Sequence, residues 1–107
     1  RKPVKPMDDV LTLIAPTLAQ NDIGDFVEQS EKSREIFGTV SSVSRAEWYN
    51  AGREGMNPEI VFTTPLVNYC WEPEAEFHGV RYAIYRTYFV QDTDEIELYL
   101  ERKAGVS

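Results

Sequence analysis

The chain has little of what most catalytic or nucleic-acid-binding proteins display. Among its 107 residues there is one cysteine, Cys70, and one histidine, His78. One cysteine excludes an internal disulfide and suits a reducing compartment. One histidine with no Cys or His partner at ligand spacing argues against a metal site. No apolar run approaches the ~18 residues that a membrane span needs. The opening segment RKPVKPMDDV lacks the apolar stretch of a secretory signal. Basic residues are outnumbered, 11 against 18 acidic, for a formal net charge of -7. Such a surface is expected to repel DNA rather than hold it by counterion release. There is no G-x-S-x-G elbow and no phosphate-cradling glycine loop. No catalytic, cofactor or metal residues are therefore assigned, and Cys70 is expected to be a structural thiol at least half buried.

What is present is a single small globular domain, 1–107, with 42% hydrophobic residues. Residues 1–9 hold three basic residues and two prolines and read as a flexible arm. Short strands are expected at 10–15 (VLTLIA) and 35–43 (EIFGTVSSV), where Gly38 suggests a bulge or a close approach. A third strand spans 58–69 and ends or kinks near Pro65. Residues 74–90 look like a hairpin turning at His78-Gly79, and EIELYLER at 95–102 alternates cleanly, with Ile96, Leu98 and Leu100 on one side. Between the first two strands lies TLAQNDIGDFVEQSEKSR, 17–34, which has turn residues and no clear period. It reads as a long loop. Together these features predict a mainly β fold. The expectation is a small antiparallel barrel or sandwich of five to seven strands, with one inserted helix at about 45–54.

The helix is the best-marked element. Ser44 and Glu47 form an S-x-x-E capping pattern, Gly55 stops the helix, and Pro58 follows. Helical spacing puts Trp48, Tyr49, Gly52 and Met56 on one stripe. Gly52 costs about 1 kcal/mol against Ala in a helix interior. Close packing against a strand or another chain would offset that. The stripe is therefore a candidate subunit or partner interface. Arg81 and Arg86, set among Tyr82, Tyr85, Tyr88 and Phe89, leave a second possibility open, a single-strand nucleic-acid surface.

Several stretches in order carry a resemblance: DVLTLIAPT, NDIGDFVE, REIFGTVSSVSRAEWYNAGREGMNPEIVF, FHGVRYAIYRTY and DEIELYLERK. Together they resemble the head-closure (head–tail adaptor, or stopper) proteins of long-tailed bacteriophages and prophages. The resemblance spans about residues 6–105. It departs from the family pattern at Met56-Asn57 and through TTPLVNYCWEPE. It implies a structural virion protein of the phage neck, not an enzyme. Such a protein forms a homo-oligomeric ring, typically dodecameric, in the virion neck, after a stage in the host cytoplasm. The ring sits below the portal and adaptor proteins, closes the DNA channel after packaging, and offers the surface for a tail-completion or tail-terminator protein. Double-stranded DNA would pass through without specific binding, and no membrane or cofactor is implied. On this reading the 17–34 segment faces the channel. Asp22, Asp25, Glu28 and Glu31 would supply a carboxylate belt, Gly24 a hinge, and Ile23, Phe26 and Val27 a plug. Another connector component (an adaptor or tail-completion protein) is the first alternative. A small barrel that binds single-stranded nucleic acid is the second.

Overall fold

The computed structural model describes residues 8–20, 22–24 and 26–103, with the side chains at 18–20 and 26–29 outside the description. The expected arm at 1–9 lies almost wholly outside it. Six antiparallel strands close into a barrel: β1 (Asp9–Gln20), β2 (Phe26–Ser42), β3 (Pro58–Pro65), β4 (Glu74–Phe77), β5 (Val80–Val90) and β6 (Glu95–Arg102). Around the barrel the order is β1-β2-β3-β6-β5-β4, and β4 pairs back onto β1. Helix α1 (Arg45–Arg53) is inserted between β2 and β3.

Alternation builds the interior. Ile96, Leu98 and Leu100 of β6 point inward with Leu11 and Leu13 of β1, Ile36 of β2, Phe62 of β3, Ala75 of β4 and Tyr82 of β5. Leu11, Leu13, Phe62, Ala75, Leu98 and Leu100 are fully buried. A six-strand barrel has a narrow lumen, so a large ring must face small neighbours. Phe62 meets that limit through Gly38. A Cβ added at Gly38 would stand 2.2 Å from the Thr63 carbonyl oxygen and 2.5 Å from Phe62 Cε2. The close approach expected at this glycine is present.

Turn chemistry agrees with the sequence. His78 (φ 51) and Gly79 (φ 80) form the two-residue link between β4 and β5, and Asp94 (φ 52) closes the turn before β6. Positive φ at both central residues matches the right-handed strand twist. The His78 ring stacks on Phe77 at 3.9 Å.

The largest departure concerns residues 17–34. They are not a loop. β1 and β2 stay paired from Asp9↔Gly38 out to Gln20↔Phe26. Only Thr12–Ile14 of β1 also pairs with β4, and only Thr39–Ser42 of β2 also pairs with β3. Beyond the barrel lip the two strands therefore run on as a two-stranded arm. Six residues past Ile14 at about 3.3 Å each give a reach of about 20 Å. The arm belongs to a molecule 59 Å long and 31 × 26 Å across. None of the arm's described side chains, at 15–17 and 30–34, is buried, and its sequence carries no period-2 apolar pattern to read.

Candidate functional site

Two exposed features stand out on the barrel: the arm and the outer face of α1. At the arm's end Asp22, Ile23 and Gly24 form an exposed turn, with Gly24 at φ 91 and Ile23 82% exposed. Asp25 lies outside the described residues. Phe26 and Glu28 sit on β2 opposite Gln20 and Leu18, and their side chains are likewise undescribed. Glu31 is elsewhere. It lies near the arm's base opposite Pro16, and Arg81 of β5 grips it with two nitrogens, Nη1–Oε2 at 3.1 Å and Nη2–Oε1 at 3.0 Å. Of the residues expected to face the channel, Asp22, Ile23 and Gly24 and the backbone of Phe26 and Glu28 lie at the distal end, while Glu31 is a paired carboxylate that ties the arm down.

Helix α1 begins as its cap predicts. The Glu47 backbone N–H donates to Ser44 Oγ at 3.1 Å. The Glu47 carboxylate does not complete the box. It turns to β5, where Tyr85 Oη donates to Oε2 at 2.7 Å and Arg86 Nη2 to Oε1 at 2.7 Å. A bulge makes both contacts possible: Ile84 pairs with Leu100 and Arg86 with Tyr99, so Tyr85 is an extra residue in β5. An extra residue re-aims side chains and twists the strand. Here it sends two successive side chains to one carboxylate. The Arg86 guanidinium also lies 4.1 Å above the Tyr99 ring. Both arginines that suggested a nucleic-acid surface are therefore engaged within the chain.

The helix stripe is split. Trp48 (57% exposed) and Tyr49 (63%) form an edge-to-face pair and line an open groove with Val43 and Arg45. Met56 is on another surface. It lines a cleft with Ala51, Asn50, Glu54, Tyr85 and Arg86. The reason is the helix stop. Gly55 takes φ 86, Met56 N–H donates back to the Ala51 carbonyl at 2.9 Å, and Gly55 N–H to Gly52 at 3.1 Å. This double closure ends the 3.6-residue repeat before residue 56. Gly52 is exposed, and a Cβ there would meet nothing within 4 Å. Among the described residues no strand uses the space that Gly52 leaves.

A third group went unread in the sequence. The segment after β3 crosses beside the arm's base, and Glu72 within it is buried. Arg34 Nε donates to Glu72 Oε2 at 2.7 Å and the Cys70 backbone N–H to Oε1 at 2.9 Å. Arg34 Nη2 donates to the Asn68 carbonyl at 2.6 Å. Trp71 stands beside it at φ 65 and 72% exposed. Cys70 is exposed, contrary to the expected burial, because its own N–H and not its thiol turns toward Glu72. A Trp in left-handed backbone has no sequence signal, and neither does a carboxylate buried by a loop crossing.

Burial pushes the Glu47, Glu72 and Glu74 carboxyls up, but hydrogen bonds outweigh it and each ends below its ordinary value of 4.5. Arg86 and Tyr85 act on Glu47, Arg34 and backbone N–H groups on Glu72, and Lys103 and Arg81 on Glu74. A depressed folded pKa stabilises the fold fully above the unfolded value, and the gain is lost as pH falls through the folded values. Urea melts at pH 7 and pH 5.5 should therefore share one midpoint, with a falling midpoint below about pH 4.5. A midpoint that rises on acidification would contradict these three pairings.

Among the described residues no group of three or more His, Cys, Asp or Glu side chains is placed to hold a metal ion. In comparisons with known proteins, no family model matches the chain. No curated protein matches it either.

Proposed function

We propose that the chain is a ring subunit of a bacteriophage neck, acting as the head-closure protein below the portal and adaptor. The observation that carries the reading is the closed barrel with a projecting two-stranded arm and an acidic, exposed turn at its end. The sequence resemblance supplies the context. In a ring, cyclic symmetry repeats each side chain once per subunit. Arms directed at the axis would narrow the channel. Asp22 and Glu28 would then recur as carboxylate belts, which repel phosphate and let DNA slide without adhering. Trp48 and Tyr49, exposed beside Val43 and Arg45, suit a contact with a neighbouring subunit or with the tail-completion protein. Gly52 leaves room there for another chain's backbone.

An adaptor or tail-completion protein would share these features, and position in the particle separates the three. The single-stranded nucleic-acid reading is weaker, since Arg81 and Arg86 are both engaged by carboxylates.

The direct test is imaging of the head–tail junction with symmetry imposed along the tail axis. A ring of this chain between portal and tail, with residues 22–24 toward the axis, is the expected result. A neck that lacks the chain would sink the proposal. As a functional readout, Asp22→Lys with Glu28→Lys should slow DNA ejection from assembled particles on the order of tenfold, with a slowing that fades at high salt. Ejection at the unmodified rate would remove the arm from the channel.

A further inference from the structure

Beyond the lip at Ile14, no backbone pairing to β4 or β3 fixes the angle at which the arm leaves the barrel. Side chains do so instead, from both faces of β2. Strand side chains alternate, so Glu31 and Arg34, three positions apart, leave β2 on opposite sides. Arg34 shares a register position, and hence a face, with the core residue Leu13, whereas Glu31 stands opposite Pro16 on the other face.

On the outer face Arg81 holds Glu31 by the paired contacts at 3.0 and 3.1 Å. Arg81 is itself held by Glu74 at 2.6 Å, and Glu74 also takes Lys103. On the core side Arg34 meets buried Glu72 at 2.7 Å and the Asn68 carbonyl at 2.6 Å. Asn68 is fixed in turn, since its Nδ2 donates to the buried Thr64 Oγ1 at 3.0 Å and Thr64 donates to the Phe37 carbonyl at 2.8 Å. Both grips therefore end in the barrel wall rather than in loose surface side chains.

A two-stranded ribbon is stiff within its plane and bends most readily toward either face. The Arg34 grip lies one position to the barrel side of the Ile14/Ser33 lip, opposite Leu13, and anchors β2 there, whereas the Glu31 grip lies two positions beyond the lip, on the arm. We propose that the Glu31–Arg81 pair is a latch that sets the angle of the arm on the barrel, acting beyond the anchor that Arg34–Glu72 makes at the arm's base. Releasing the Glu31 side lets the arm lean about the Ile14/Ser33 lip. The outer grip is the releasable one, because the Glu31 side chain is 41% exposed, against 7% for Glu72. Salt or a competing cationic side chain from a partner can reach Glu31 but not Glu72. In a ring, the same angle would decide how far each arm's end lies from the axis, and that last link alone rests on the proposed function.

The test uses the free chain, so it stands or falls apart from the neck assignment. Spin labels go on Ser30→Cys in the arm and Asp92→Cys on the barrel, in a Cys70→Ser background, and the distance distribution is read. One narrow population is expected at low salt. Glu31→Gln, Arg81→Gln, or about 0.5 M NaCl should each move the ratio of a second, displaced population by about fivefold, with the melting midpoint of Glu31→Gln unchanged. Glu31→Gln removes an exposed group, so it carries the test even where Arg81→Gln folds poorly. An unchanged narrow distribution in Glu31→Gln and at high salt overturns the latch. So does a broadening accompanied by a lowered Glu31→Gln midpoint, which would mark loosening of the barrel itself.

Discussion

Gly38→Ala should cost about 3 kcal/mol or more, enough to leave much of a marginal domain unfolded. The added methyl would lie 2.2 Å from the Thr63 carbonyl oxygen, and the next contacts are Phe62 Cε2 at 2.5 Å and Cζ at 2.8 Å. The nearest obstacle is backbone of a paired strand, Thr39↔Thr63, which cannot rotate aside. Relief requires β2 and β3 to part. Gly52→Ala supplies the internal contrast. Its methyl would meet nothing within 4 Å, and it lies inside α1. It should stabilise the free chain by about 1 kcal/mol. Thermal melts of the two variants should move in opposite directions. A Gly38→Ala midpoint within a few degrees of the parent would show that the β2–β3 approach is looser than described. If Gly52→Ala also blocks assembly while stabilising the subunit, the glycine serves a neighbouring chain, as the proposed function requires.

Phe62→Ala should cost about 3–5 kcal/mol. Among the described residues Phe62 is the largest fully buried side chain; it sits on β3 between Val40 of β2 and Leu98 of β6 and belongs to the central cluster. The cavity would be bounded by backbone on every strand of a closed barrel, so little collapse is available to refill it. The pairing with Gly38 makes a sharper test. Removing the ring clears two of the three close contacts at Gly38 and leaves the Thr63 oxygen. Phe62→Ala should therefore fail to rescue Gly38→Ala in a double-mutant cycle read by urea denaturation. A rescued double variant would locate the conflict in the ring alone. Coupling between such neighbours is expected to be non-additive in either case.

Much of the barrel was legible in the residues. β6 shows its inward side by strict alternation of Ile96, Leu98 and Leu100 with charged or hydroxylated partners. α1 shows its start in Ser44 and its stop in Gly55, and the β4–β5 turn shows itself in His78-Gly79. These signals are local: they follow from a pleat, a cap and a positive φ, each fixed by residues a few positions apart. The order of strands around the barrel was not legible, since it depends on which edges meet.

The candidate site divides the same way. The 17–34 segment shows turn residues in its sequence, and Asp22, Ile23 and Gly24 form a turn at the end of the arm. The arm itself is not legible, because its residues show no apolar alternation, and those described at 15–17 and 30–34 are not buried. Glu31 was grouped with the terminal acids on composition; only the approach of β5, 50 positions away, makes it a partner of Arg81. The stripe through Trp48 and Met56 assumed a helix that continued, and the closure at Gly55 ends it first. The bulge at Tyr85 and the burial of Glu72 were equally invisible. The sequence by itself determined the β-rich fold class, the capped helix, the turns and the excess of acid. Only the tertiary structure decided which carboxylates are spent on internal pairs and which remain on an outward arm, because that choice depends on contacts between residues distant in the chain.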